Sequence, residues 1–247
     1  MVDLFRATST LQVLADSGHE ISIATDPEEA QSRISEGFRG VGEWGGVTPA
    51  GFTFGNSPRR VMHLPVAGPP VVFLSSNGAG AIRAAAKHAK SVLIGNLWNL
   101  HLLREVLTGV GGSWLLVPAG LRGQPCLEDD FVCSRLAAEV GVAVPGLRED
   151  IGLPSIHASA STHLPEDADA HHDIDFILSS SYRPTGLPTH EDGLIVSRSC
   201  SFVIEALTQS PQGSEAGFHD SHRHTDEQRP PEPDVRPSSG LQIGQRT

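Results

Sequence analysis

PVVFLSSNGAGAIRAAAKHA, residues 70–89, reads as one β-α unit. Its apolar run, Val71 to Leu74, stops at Ser75-Ser76 and passes through Asn77-Gly78 into a helical pattern. Two more units of this kind follow: SVLIG (91–95) into NLWNLHLLREVL (96–107), and WLLVPAG (114–120) into LEDDFVCSRLAAEVG (127–141). Upstream, VDLF (2–5) reads as a short strand, and a helix from about Ser9 to Ser17 stops at Gly18. EISIAT (20–25) is a strand. DPEEAQSRISEG (26–37) is a helix, with Asp26 as N-cap, Pro27 at its first position, Glu29 three residues after the cap and Gly37 as terminator. Strand-helix alternation of this kind predicts an α/β fold, a three-layer α/β/α arrangement around a largely parallel sheet.

Residues 37–58 carry too much Gly and Pro for a regular element and read as a functional loop. Residues 145–173 show no periodicity. DIDFILSS (173–180) and GLIVSRS (193–199) read as two late strands, and SFVIEALTQ (201–209) as a helix or a strand. The expected organisation is one α/β domain over residues 1–207 and a tail over 208–247, too polar to offset the entropy of ordering and expected to be disordered.

A formal charge of -11 over 247 residues argues against a nucleic-acid or anionic-membrane surface. A small anion would need local help from arginines, helix N-termini or a cation. Cys126, Cys133 and Cys200 show neither zinc-finger nor disulfide-framework spacing, so a reducing cytoplasm is expected. No apolar run approaches the roughly 18 residues of a membrane span. Neither GxGxxG nor a P-loop is present. The HC(X)5R pattern of cysteine phosphatases is also absent, which leaves Cys126 and Cys133 as structural thiols.

In open α/β sheets, ligands sit beyond the carboxyl ends of the strands. Here those ends run into Asp3, Arg6 and Thr8; into Ser75, Ser76, Asn77 and Gly78; into Asn96 and Asn99; and into Glu128 and Asp129. The 37–58 loop adds Glu43, Asn56 and Ser57. Four carboxylates, Asp3, Glu43, Glu128 and Asp129, form a hard-oxygen set suited to Mg²⁺. Arg6 and helix-start amides suit phosphate, and together the groups describe phosphoryl hydrolysis. Each has a structural reading beside the functional one: a local Asp3–Arg6 ion pair, macrodipole partners at Glu128-Asp129, and plain turns at GNSP and Asn77-Gly78.

DLFRATST (3–10), GE (42–43), GFTFGNSP (51–58), SSNGAGAI (75–82), VLIGNLWN (92–99) and CLEDDFVC (126–133) resemble, in order and spacing, the 2-phosphosulfolactate phosphatase family over roughly residues 1–140. The resemblance implies a Mg²⁺-dependent phosphatase that converts 2-phospho-3-sulfolactate to 3-sulfolactate and phosphate in coenzyme M biosynthesis. It implies catalytic work at Asp3, Arg6, Thr8, Asn77, Glu128 and Asp129, and substrate binding at Arg6, Asn56, Ser57, Asn77, Gly78 and Asn99. Metal ligation falls to Asp3, Glu43, Glu128 and Asp129. The expected partner is a small anionic phosphorylated substrate, with homo-oligomerisation left open. The alternative is a diverged non-catalytic relative that binds a phosphorylated metabolite.

Overall fold

The computed structural model describes residues 1–143, 151–163, 168–179, 181–209 and 241–244. The chain begins with α1 (Ala7–Asp16), β1 (Ile21–Ala24), α2 (Pro27–Ser35), β2 (Arg39–Gly42) and the short α3 (Pro58–Val61). Next come β3 (Val71–Leu74), α4 (Gly78–Ala86), β4 (Val92–Leu93), α5 (Leu100–Val110), β5 (Ser113–Leu116) and α6 (Leu127–Glu139). The later part supplies α7 (Leu153–His163), α8 (Ala168–Leu178), β6 (Leu187–Glu191), β7 (Leu194–Arg198), α9 (Cys200–Gln209) and β8 (Leu241–Gly244).

The main sheet has the order β2-β3-β1-β7-β6-β4. β2, β3 and β1 pair in parallel, whereas β1–β7, β7–β6 and β6–β4 are antiparallel. The α/β class is as expected, and the sheet is mixed because the β6–β7 hairpin lies between β1 and β4. Side chains alternate across the strands. Ala24, Val72 and Leu74 therefore share one face with Ala30 and Ile34 of α2. Ile21, Ile23, Val71 and Phe73 look the other way, into the larger core that holds Leu11 and Leu14 of α1.

Asp26 caps α2 as its sequence indicates, its side chain accepting the Glu29 N–H at 2.8 Å. The VDLF strand shrinks to a single residue. Val2 bridges Gly95 and Pro118 in parallel, with its N–H donating to Val117 O at 2.8 Å and its carbonyl accepting from Ala119 at 2.8 Å. Leu4 has already left the sheet, because its N–H donates to Asp129.

The loop read over residues 37–58 contains β2. Its glycines mimic loop punctuation but are imposed by packing. A Cβ on Gly40 would meet the Ile34 and Phe52 side chains at 2.8–2.9 Å, and one on Gly42, at φ 134°, would sit 1.9 Å from Leu74 O. Gly42→Ala should therefore break the β2–β3 register and cost about 2–4 kcal/mol, measured as a lowered urea midpoint. An unchanged midpoint would mean that β2 can shift freely.

DIDFILSS is not a strand: Asp173 to Leu178 belong to α8. The alternating aspartates suggest period two, yet the buried set is Ala170, Asp173, Ile174 and Ile177, a helical face. Residues 145–173, read as unpatterned, supply α7 and the start of α8, while 144–150 and 164–167 lie outside the described residues. SFVIEALTQ is helical, in α9. Of the tail, residues 210–240 and 245–247 lie outside the described residues, and Leu241–Gly244 pairs antiparallel with β5. Among the described residues, no helix is long and apolar enough to cross a membrane.

Candidate active site

A cavity of about 280 Å³ opens where the ends of Val2, β2, β3 and β5 meet the start of α6. Asp3, Glu43, Glu128 and Asp129 all line it, and all four are buried. Strand ends deliver Asp3 and Glu43, and the first turn of α6 delivers Glu128 and Asp129.

Two of these acids are tightly held. Asp129 Oδ1 accepts the Leu4 N–H at 3.0 Å and Oδ2 the Gly120 N–H at 2.7 Å, joining the α6 start to both strand ends. Glu43 Oε1 accepts the Ser76 N–H at 2.8 Å, and Oε2 accepts the Ser76 hydroxyl at 2.9 Å and the Gly46 N–H at 2.7 Å. The other two are less satisfied. Glu128 Oε1 is buried without a hydrogen-bond partner among the described residues. Burial, then the Asp129 charge, pushes the Asp3 carboxyl well above the usual range; a Phe5 N–H bond offsets part of this, while Glu43 and Glu128 add to it. Burial pushes Asp129 up to about 6 against the pull of its two backbone donors.

This crowding sets a pH dependence. Carboxyls raised in the folded state hold protons that the unfolded chain has already released. For Asp129 the stabilising effect is present below about pH 4 and lost as the pH rises through about 6. In chelator the melting temperature should fall between pH 5 and pH 8, Asp129 contributing on the order of 1 kcal/mol over that interval. Asp129→Asn should flatten that slope; a melting temperature that rises toward pH 8 would contradict it.

Arg6 also lines the cavity, but its ion-pair partner is not Asp3. Arg6 Nη1 lies 3.2 Å from Asp173 Oδ2, and both residues are buried. Asp173 Oδ1 accepts the Ser57 hydroxyl at 2.8 Å, and Ser57 in turn caps α3 by accepting the Arg60 N–H. Burial pushes the Asp173 carboxyl up, and Ser57 and Arg6 draw it back. An Arg60–Asp169 pair at 2.9 Å ties α3 to α8 a second time.

The remaining expected residues divide. Asn56 and Asn77 line the cavity: Asn56 Oδ1 is buried and unpartnered among the described residues, and Asn77 Oδ1 accepts the Arg122 N–H at 2.9 Å. Thr8, Ser57, Gly78 and Asn99 do not line it. Thr8 donates its hydroxyl to the Asp3 carbonyl at 2.5 Å and so holds the backbone that carries Asp3. Gly78 leaves room, since a Cβ there would lie 2.5 Å from the Ala7 Cβ and 3.2 Å from Asp3 Oδ2. Asn99 is spent on a buried network, donating to Gln12 Oε1 at 2.8 Å and Ile94 O at 2.9 Å.

Sequence reasoning missed Asp173, disguised in an apparent strand, and Arg122, in a turn between two recognised elements. It also missed Ala160, which α7 brings to the cavity wall. Cys126 lines the cavity too, but burial and the neighbouring Asp129 hold its thiol protonated, unfit as a nucleophile.

Among the described residues, no group of three or more His, Cys, Asp or Glu side chains stands arranged to hold one metal ion. The donor chemistry nevertheless fits a hard cation. All four acids are oxygen donors, Glu128 Oε1 is buried without a partner among the described residues, and Asp3 is raised first by burial and then by the Asp129 charge beside it.

A family profile described as 2-phosphosulpholactate phosphatase matches residues 1–163. The chain is 36% identical over 146 residues to a probable 2-phosphosulfolactate phosphatase of Thermus thermophilus, covering 57% of this chain and 60% of that protein. It is 32% identical over 168 residues to the 2-phosphosulfolactate phosphatase of Methanothermobacter thermautotrophicus, covering 68% and 70%. A probable 2-phosphosulfolactate phosphatase of Deinococcus radiodurans is 34% identical over 141 residues, covering 56% and 59%. The match thus spans about three fifths of the Thermus and Deinococcus proteins. Every cavity residue named above lies within the profile match; Asp173 lies beyond it.

Proposed function

The chain belongs to the 2-phosphosulpholactate phosphatase family, and from that membership and the acidic cavity we propose that it hydrolyses the phosphate ester of a small 2-hydroxy acid, 2-phospho-3-sulfolactate, in a Mg²⁺-dependent reaction. The observation that carries this reading is the charge balance of the cavity. Four buried carboxylates face Arg6 and Arg122, and Arg6 is already paired with Asp173. A phosphate dianion would be repelled from this site unless a cation came with it.

Asp3 and Glu128 are the residues we assign to the metal first, because Glu43 and Asp129 have both oxygens committed to hydrogen-bond donors. When bound, Mg²⁺ would neutralise phosphate oxygens and polarise the phosphorus centre. The reaction breaks the bond from phosphorus to the C2 oxygen and forms one to a water oxygen. One proton leaves the water and one reaches the departing alkoxide. Asp129, whose carboxyl burial pushes up to about 6, can hold and return such a proton near neutral pH. Arg6 would offer the N–H groups not bonded to Asp173 to charge growing on the phosphoryl oxygens, while Asp173 keeps the guanidinium in place. We place this activity in the cytoplasm, within coenzyme M biosynthesis. The three unpaired cysteines support a reducing compartment.

The test is release of inorganic phosphate from 2-phospho-3-sulfolactate by the purified full chain with Mg²⁺. Turnover that exceeds that on phenyl phosphate supports the reading. A substrate-induced rise in melting temperature without phosphate release would instead identify a non-catalytic binder.

A further inference from the structure

The geometry points to Arg122 as the specificity residue that receives a second acid group of the substrate, distinct from the phosphate; this rests on the proposed phosphatase reading. Two hairpins with two-residue turns contribute to the cavity wall, Trp44–Val47 and Leu121–Gln124, each closed by a reciprocal pair of backbone hydrogen bonds. Their four central residues all have left-handed backbones: Gly45 at φ 61°, Gly46 at 83°, Arg122 at 52° and Gly123 at 76°. Such turns favour glycine at both positions, and three of the four are glycine. Arg122 alone keeps a side chain where one is disfavoured, and outliers of this kind concentrate at ligand sites.

Its placement is fixed from the cavity side. Asn77, the residue immediately before α4, accepts the Arg122 N–H through its side chain, so the turn is anchored to a cavity residue. Charge supplies the independent reason. Arg6 is buried and paired with Asp173, whereas Arg122 is exposed at the rim, and no acidic side chain among the described residues pairs with it. Among the described residues that line the cavity, Arg122 is the cation left to meet a second acid group directed toward solvent. Its planar guanidinium offers two parallel N–H donors, matched to a carboxylate or a sulfonate.

Arg122→Gly separates recognition from folding, because glycine suits the left-handed turn; the melting temperature should hold or rise. The readout is kcat/KM for 2-phospho-3-sulfolactate divided by that for phenyl phosphate, which has no second acid group. That ratio should fall at least about tenfold relative to wild type. With 2-phospholactate, a similar loss assigns Arg122 to the carboxylate, and a much smaller loss assigns it to the sulfonate. An unchanged ratio would overturn the assignment. Calorimetric binding of 3-sulfolactate, which carries both acid groups and no phosphate, gives a readout free of turnover. Its affinity should weaken about tenfold in Arg122→Gly even if wild type hydrolyses none of the esters, a result that would reject the phosphatase reading alone. Equal affinity in both proteins would reject the role of Arg122.

Discussion

Arg6→Ala should destabilise the protein by about 3–5 kcal/mol, because it leaves the buried Asp173 carboxylate without its ion-pair partner. Arg6→Lys should behave differently. A lysine can keep the charge beside Asp173, so the fold should survive, but it replaces a planar fork with a single point of charge. Turnover should then drop at least about tenfold in kcat/KM, or about 1.4 kcal/mol of transition-state stabilisation, with little change in unfolding. Denaturant titration and steady-state kinetics on the two variants check both halves. Wild-type kinetics in Arg6→Lys would remove the guanidinium from the chemistry and leave it a purely structural partner of Asp173.

The second large effect runs in opposite directions for stability and activity. Asp3 is buried and pressed by Asp129, Glu43 and Glu128, and its ionised form is costly in the apo protein. Asp3→Asn removes that charge at nearly constant volume, so the melting temperature in chelator at pH 8 should rise. The same change takes away a proposed metal ligand, and kcat should fall about 10²–10⁴-fold, the several kcal/mol of charge stabilisation that a held cation supplies. A variant that loses stability and activity together would show that Asp3 is satisfied as a carboxylate and is not under strain from its neighbours.

The cavity acids were legible in the sequence for two reasons: Asp3, Glu128 and Asp129 sit at a recognised strand end or helix start, where the pattern is local, and Glu43 is the one acid of the Gly-rich 37–58 stretch. Asp3, Glu43, Glu128 and Asp129 do line one cavity. The pairing of Arg6 was not legible. Its partner lies 167 positions away, on a helix whose Ile174–Asp175–Phe176 run imitates strand alternation. Asn99 misled in the opposite way: it follows a strand as a site residue would, but a buried network with Gln12 and Ile94 consumes its amide. β2 was hidden because Gly40 and Gly42 look like turn residues. They are required by contacts with Phe52 and Leu74 that only the folded chain reveals. In the antiparallel half of the sheet, GLIVSRS was legible as the strand that forms β7, whereas β6 escaped notice because Leu187–Glu191 contains a proline, which demotes a run as a strand candidate.

Phosphate release from 2-phospho-3-sulfolactate, followed in one preparation first stripped with chelator and then titrated with Mg²⁺, tests the central claim most directly. The melting temperature is read at each addition. Four carboxylates lining one cavity should give no measurable release in chelator. Release should appear with Mg²⁺ as the melting temperature at pH 8 rises, because the cation relieves the repulsion at Asp3. Full phosphate release in chelator, with a melting temperature indifferent to Mg²⁺, would contradict it.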